Sequence, residues 1–484
     1  MVFSSAVFLY LFFPLFLLTY FFTPQRFKNV VLLLFSVGFY AWGAPQFVYV
    51  VLATTALDFF LVRLMYESHG TRKSLFYLLL SVSVNLGLLF YFKYCGFFVH
   101  NVNSVLHAFG FSNEILFTSV VMPIGISFYT FETITYVVDV YRGVHRPLNN
   151  FLDYQAYIMM FPKLIAGPIV RYHEIADQLN NRQAQETADN RLNGFFRFSI
   201  GLAKKVLIAN TLAEVANAIY GDPLTGAGMA NPETLSMSQA WIGALAFTFQ
   251  IYFDFSGYSD MAIGIARMLG FRFPENFNHP YISQSITEFW RRWHITLGSW
   301  MRNYVYIPLG GNRVHGKWRL FFNLWIVFLL SGLWHGASWN FVVWGAWHGA
   351  FLILDRWFLN KVLRFVGKPF RIAFTFLIVV IGWIYFRVTD LSLATKFAAA
   401  LFRFGNSGFP YSFTNEFFIA LGFAFFFSFF AVLPFTARFS AAVFEGSTNF
   451  RVQLLNAIVS VFFILLSTAY LVSGGFNPFI YFRF

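Results

Sequence analysis

Hydrophobic positions in this chain fill long stretches on every face instead of recurring at a helical or strand spacing, as in VVLLLFSVGFYAW from residue 30 and FIALGFAFFFSFFAVL from residue 418. A membrane β-barrel strand would alternate apolar and polar positions, so runs that are apolar all round predict transmembrane helices. Eight stretches of 19 or more residues contain no Asp, Glu, Lys or Arg: 1–25, 29–57, 74–92, 94–113, 234–253, 320–354, 417–437 and 452–482. Most are long enough to cross a hydrocarbon core of about 30 Å. Residues 1–25 lack a basic start and a small-residue cleavage site, and the charges Arg26 and Lys28 follow them. They read as a retained first membrane helix and not as a signal peptide.

Composition narrows the picture. At about 150 residues per domain, a soluble chain of this size would hold three domains. Only 11% of the 484 residues are charged, against 58% hydrophobic and 22% aromatic, whereas a soluble chain carries about 25% charged residues. The expectation is a single integral-membrane domain over 1–484, with its motif-dense part at about 120–350. Cys95 is the one cysteine and cannot pair within the chain, which excludes a disulfide scaffold. Pore, transporter, flippase and membrane enzyme all survive this test.

The net charge of +13 is read as membrane orientation, and no nucleic-acid partner is expected. Cytoplasmic loops collect Lys and Arg, so Arg26 and Lys28 put the N-terminus outside. Arg63, Arg72 and Lys73, then Arg142 and Arg146, mark further inside ends, as do the segments 163–205, 267–319 and 356–371. Continuing the alternation gives about 11 or 12 crossings in an all-α polytopic membrane protein. Arg387, Lys396 and Arg403 break the rule and leave the side of the C-terminus open. No internal repeat supports the inverted halves of secondary transporters. The polar stretches 171–197 and 271–319 are too short for soluble domains and read as interfacial or re-entrant elements.

Candidate chemistry falls on three histidines: His294 in TEFWRRWHITLGSW, His335 in SGLWHGASWN and His348 in WGAWHG. The charge-free run 320–354 would extend about 52 Å as one helix at about 1.5 Å per residue. With Arg319 and Arg356 both cytoplasmic, it reads as a hairpin turning near Gly336, which carries His335 to membrane depth. An ionisable side chain there is either a functional group or helix–helix glue. A near-neutral pKa suits histidine to removing a hydroxyl proton and returning it to a leaving group. His335 and His348 lie 13 residues apart, about 220° around a helix, and no HxxxH, HExxH or cysteine cluster is present, so no metal site is expected. Glu288 stands at helical spacing to neutralise Arg291 or Arg292. Asp260 and Arg267 share a helical face in QIYFDFSGYSDMAIGIARMLG, which predicts that they pair. That segment is either a polar network fixing helix packing or the wall of a polar cavity.

Several blocks carry a family resemblance: PIGISFYTFETITYVVDVYRG (123–143), FPKLIAGPIVRYHEI (161–175), FDFSGYSDMAIGIARMLGFRFPENFNHPY (253–281), TEFWRRWHITLGSWMRNYVYIPLGGNR (287–313), LWHGASWNFVVWGAWHG (333–349) and NPFIYFRF (477–484). In order and length these resemble the membrane-bound O-acyltransferase superfamily, most closely its alginate O-acetyltransferase branch. The resemblance implies a funnelled helical core in a bacterial inner membrane. It assigns catalytic roles to His335 and to His294, 41 residues upstream, and leaves His348 as a packing or supporting residue. It also implies acetyl-CoA or a similar acyl thioester as donor substrate, with no tightly bound cofactor; the donor-binding residues are not identified. The implied acceptor is an exopolysaccharide hydroxyl reached through a periplasmic SGNH-like acetyl-relay or acetyltransferase protein. Two other classes stay open: a non-catalytic acyl carrier or pore serving a separate acetyltransferase, and a long-chain protein or lipid acyltransferase.

Overall fold

The structure is a computed structural model; it describes all residues except 119, 223–227, 406–407, 409, 434–435, 437–444 and 474–484. The NPFIYFRF block and Arg483 therefore lie outside the described residues. Among the described residues there are helices and no strands.

The helices gather into two compact units. The first comprises Met1, Val7–Glu186 and Gly270–Phe273. It holds α1 (Phe13–Phe22), α2 (Lys28–Gly43), α3 (Val48–Glu67), α4 (Arg72–Leu89), α5 (Cys95–Ala108), α6 (Ile126–Tyr141), α7 (Phe151–Met159), α8 (Phe161–Leu164) and α9 (Tyr172–Asn180). The second comprises Val2–Ala6, Thr187–Leu269 and the described part of Pro274–Phe484. It holds α10 (Ala188–Ala203), α11 (Asn210–Tyr220), α12 (Met237–Met268), α13 (Ile286–Arg292), α14 (Ile295–Met301), α15 (Lys317–His335), α16 (Trp339–Leu354), α17 (Asn360–Val362), α18 (Lys368–Arg387), α19 (Leu391–Ala400), α20 (Asn415–Phe429) and α21 (Phe450–Val472).

Among the described residues, five stretches are long and apolar enough to cross a membrane: Pro45–Glu67, Arg72–Ala108, Lys368–Arg387, Asn415–Val432 and Phe450–Val472. The outward face of α21 shows why lipid is its solvent. Leu454, Leu455, Ile458, Val461, Phe462 and Leu465 are all exposed, an apolar stripe that water would penalise. The remaining helices are shorter or carry polar groups bonded inside the protein. The charge-free runs 74–92 and 94–113 fall on one continuous helix, Arg72–Ala108. Lys93, which separates them in sequence, donates to Ser127 Oγ at 2.9 Å and leaves the helix unbroken.

In the first unit, buried charges are paired between helices. Lys163 and Glu132 form an ion pair with both side chains fully buried. Lys28 and Glu186 form another, joined by Gln25 Nε2 at 2.8 Å. Asp58 of α3 accepts from Ser81 and Asn85 of α4. Removed from water, each polar group needs such a partner.

In the second unit, α10 lies along α12 at backbone contact. A Cβ at Gly194 would stand 2.6 Å from Gly264 O, and one at Gly201 would stand 2.5 Å from Gly257 O. Small residues at this seven-residue repeat permit the approach. Asp260 joins the same seam, but its partners are Arg197 and Lys204, each at 2.6 Å, and not Arg267. Arg267 turns outward to Asn190 Oδ1 and Glu445 O. Sharing a helical face was outweighed by two cations offered across the helix interface, where a buried carboxylate gains more from close pairing. Lys205–Asp254 at 2.6 Å completes the set. The packing-network reading of this segment is the one the geometry matches.

Arg387, Lys396 and Arg403, the exceptions to the charge rule, all have local acceptors. Arg387 is buried and donates to Asn217 Oδ1 and to Gly221 O beyond the end of α11. Lys396 pairs with Glu233 at 2.7 Å, and Arg403 reaches Glu233 O.

Candidate active site

The run 320–354 forms the expected hairpin. Helix α15 ends at His335, Gly336 is extended at φ −174°, and α16 starts at Trp339. The arms pack closely because Gly332 faces the backbone of Phe341 and Gly345 faces that of Phe328. The turn is held by Asn340, which donates to Tyr385 O at 3.1 Å.

At the end of α15 the His335 side chain is buried, 4% exposed. Its Nδ1 lies 2.7 Å from Ser331 O, one helical turn back. A carbonyl can only accept, so Nδ1 carries a proton, and whenever the ring is neutral the lone pair is on Nε2. The ring packs at 4.9 Å from Trp334, 4.9 Å from Trp344 and 5.5 Å from Phe386.

His294 is 1% exposed and sits between α13 and α14 with φ 44°, a left-handed backbone. Among the described residues, His279 at φ 45° is the one other non-glycine residue with positive φ. Such a conformation is uncommon outside glycine and persists where surrounding bonds fix it. Here they run to the 276–278 loop: Ile295 N donates to Asn276 O, and Asn278 N to Arg292 O, each at 2.9 Å. The Asn276 amide clamps the site. Its Oδ1 accepts from Thr296 N at 3.3 Å and Thr296 Oγ1 at 2.8 Å, while its Nδ2 reaches Ser259 Oγ at 3.1 Å. The Thr296 backbone N–H fixes which end of the amide is oxygen. His294 Nδ1, 3.1 Å from that oxygen, is therefore the donor. His294 Nε2 is then a buried lone pair with no hydrogen-bond partner.

Trp334 brings the two histidines together, since its ring lies 6.1 Å from that of His294 as well as 4.9 Å from that of His335. Phe255 closes the other side of His294 at 4.7 Å. In both rings Nδ1 is the donor, so the neutral form of each carries its lone pair on Nε2, a pattern suited to handling hydroxyl or thiol protons. For His294 this differs from a simple oxyanion donor, because a neutral ring in this tautomer has no N–H at Nε2.

His348 does not join them. It is fully buried on α16 among Trp290 at 5.1 Å, Trp344 at 5.2 Å and Phe289 at 6.4 Å. A Cβ at Gly382 would stand 2.7 Å from its Nε2, so α18 approaches it through a glycine. Its ring fills the space beside Trp344. Glu288 bonds Arg292 at 2.9 Å, as helical spacing predicts. Sequence reasoning misses Asn276 and Trp334, although Asn276 stands inside the block FPENFNHPY and Trp334 inside LWHGASWN, next to His335. Among the described residues no group of three or more His, Cys, Asp or Glu side chains gathers as a metal site.

A buried, tautomer-fixed histidine pair inside a polytopic helical protein is a candidate site for group transfer within the membrane. Comparison with known proteins gives the class: residues 144–390 match the membrane-bound O-acyltransferase family, and the chain belongs to it. It is a multi-pass membrane acyltransferase. It is 46% identical to the probable alginate O-acetylase AlgI of Pseudomonas putida over 84% of this chain and 81% of that protein. The peptidoglycan O-acetyltransferase of Helicobacter pylori is 34% identical over 82% of this chain and 79% of its own length. The teichoic acid D-alanyltransferase of Bacillus subtilis is 29% identical over 46% of this chain and 56% of its own.

Proposed function

We propose that the protein transfers an acetyl group from a cytoplasmic acyl thioester, acetyl-CoA or a relative, toward an extracytoplasmic polysaccharide hydroxyl, with alginate or a related exopolysaccharide as final acceptor. Likeness to the alginate O-acetylases supports the acetyl group and the polysaccharide. The further steps, a periplasmic SGNH-like partner that receives or relays the acetyl group and a bacterial inner-membrane location, follow from the same reading.

The observation that carries the chemistry is the Nδ1 bond from His335 to Ser331 O, which leaves Nε2 as a base. His335 Nε2 takes the proton of the acceptor hydroxyl as its oxygen attacks the thioester carbonyl. The tetrahedral intermediate then collapses with cleavage of the C–S bond, and His335 returns the proton to the departing thiolate. A positioned base of this kind is worth about 10² to 10⁴ in rate. His294, with its buried Nε2 lone pair, orients the attacking hydroxyl by accepting from it.

The test is reconstitution of purified protein with labelled acetyl-CoA and a periplasmic partner, alongside mass analysis of exopolysaccharide from a deletion strain. Loss of O-acetyl groups in the deletion strain and thioester turnover by the purified protein are expected. Turnover with palmitoyl-CoA in place of acetyl-CoA would overturn the short-chain reading, and polysaccharide with its full acetyl content would overturn the acceptor.

A further inference from the structure

Behind the histidine site, helix α13 has a second face. Ile286, Phe289 and Trp293 point into the aromatic core, whereas Thr287, Glu288 and Arg291 line a cavity of about 470 Å³ together with Gln284, Ser285, Asn360 and Arg371. The charges there do not cancel. Glu288 is held by Arg292 at 2.9 Å and by the Gln284 N–H at 2.9 Å. Asp355, nearby, accepts from Thr287 N and Oγ1 at 2.8 and 2.9 Å. Arg291 is exposed and has no ion-pair or hydrogen-bond partner among the described residues, and Arg371 Nε is buried without one among them. Two guanidinium groups thus face one cavity with no free carboxylate. Arg291 belongs to the segment 267–319 and Arg371 to 356–371, both placed on the cytoplasmic side by the charge pattern.

We propose that this cavity is a phosphate-binding site, with Arg291 and Arg371 as the anion ligands and the Asn360 and Gln284 amides as neutral donors. Guanidinium forks match phosphate oxygens two at a time, and an unpaired buried N–H is satisfied by such an anion. The phosphate comes from the acyl donor or from a lipid headgroup. For the donor case the inference rests on the reading above. The cavity residues Thr287, Glu288 and Arg291 belong to α13, the helix that leads into His294, so a donor anchored there by phosphate would extend its thioester arm past the end of that helix.

The test uses full-length protein in detergent, with inorganic pyrophosphate and coenzyme A as probes. Wild type should bind both, and Arg291→Gln/Arg371→Gln should bind each at least tenfold more weakly for every arginine removed. Arg291→Lys/Arg371→Lys should recover part of the affinity. Binding unchanged in the Gln double variant overturns the site. Kinetically, the double variant should raise KM for acetyl-CoA while leaving kcat, and should not alter turnover of S-acetyl-N-acetylcysteamine, a thioester without phosphate. Equal losses with both thioesters overturn the donor as the source of the phosphate. In nanodiscs, displacement of pyrophosphate by phosphatidylglycerol but not phosphatidylcholine assigns the site to headgroups, and its absence assigns it to the donor. Pyrophosphate binding reads the site even if acetyl-CoA proves not to be the donor, so the two readings fail separately.

Discussion

His294 and His335, 41 residues apart in sequence, lie against the same indole, Trp334, at 6.1 and 4.9 Å between ring centres. Each has its Nδ1 committed to an oxygen acceptor, Asn276 Oδ1 for one and Ser331 O for the other. The protein thereby sets both rings in one tautomer before any substrate arrives, a preorganisation that a single flexible histidine would lack.

Replacing His335 tests the base. His335→Ala and His335→Gln should each lower acetyl transfer by at least about 10²-fold, with membrane levels of the protein unchanged. The readout is O-acetyl content of exopolysaccharide beside an immunoblot. Normal acetyl content with either variant would remove His335 from the reaction.

Asn276 tests the clamp. Asn276→Ala removes the acceptor of His294 and of Thr296, and leaving buried donors unpaired costs about 1–3 kcal/mol. A fall in kcat larger than that in Thr296→Val is expected, because Thr296→Val spares the His294 bond. Equal effects in the two variants would make the His294 bond incidental.

The glycine seam tests packing. Gly201→Leu puts side-chain atoms where a Cβ alone meets Gly257 O at 2.5 Å, so α10 and α12 must separate. Overpacking of this kind costs about 1–3 kcal/mol or more, read as a lower melting temperature in detergent. Gly38→Ala in α2, where a Cβ meets nothing within 4 Å, should leave the melt unchanged or slightly higher.

Asp260 tests the ion network. Asp260→Asn leaves Lys204 facing a neutral group and Arg197 with Glu275 as its remaining carboxylate, and breaking a buried pair from one side costs up to about 3–5 kcal/mol. Arg267→Gln should cost much less, since Arg267 bonds the neutral acceptors Asn190 Oδ1 and Glu445 O. A larger loss from Arg267→Gln would restore the pairing that helical spacing predicts.

The sequence by itself determined the solvent and the chemistry. Charge-free runs require lipid, the family blocks carry an acyltransferase, and a 35-residue run flanked by Arg319 and Arg356 must fold back at Gly336. These follow from local composition and from the length of a helix against the thickness of a bilayer, both readable in one dimension. Tertiary structure decided who meets whom. Asp260 chose Arg197 and Lys204 over Arg267 because ion pairing in a low-dielectric interior rewards the closest cation, which can come from any helix. The tautomers of His294 and His335 depend on Asn276 and the Ser331 carbonyl, and the second of these is a backbone atom that no residue type announces. His348, similar to His335 in its sequence surroundings, is enclosed by Gly382 of α18, Trp290 of α13 and Trp344 of its own helix. The difference between the two histidines lies in their neighbours across the fold, and only packing in three dimensions supplies those.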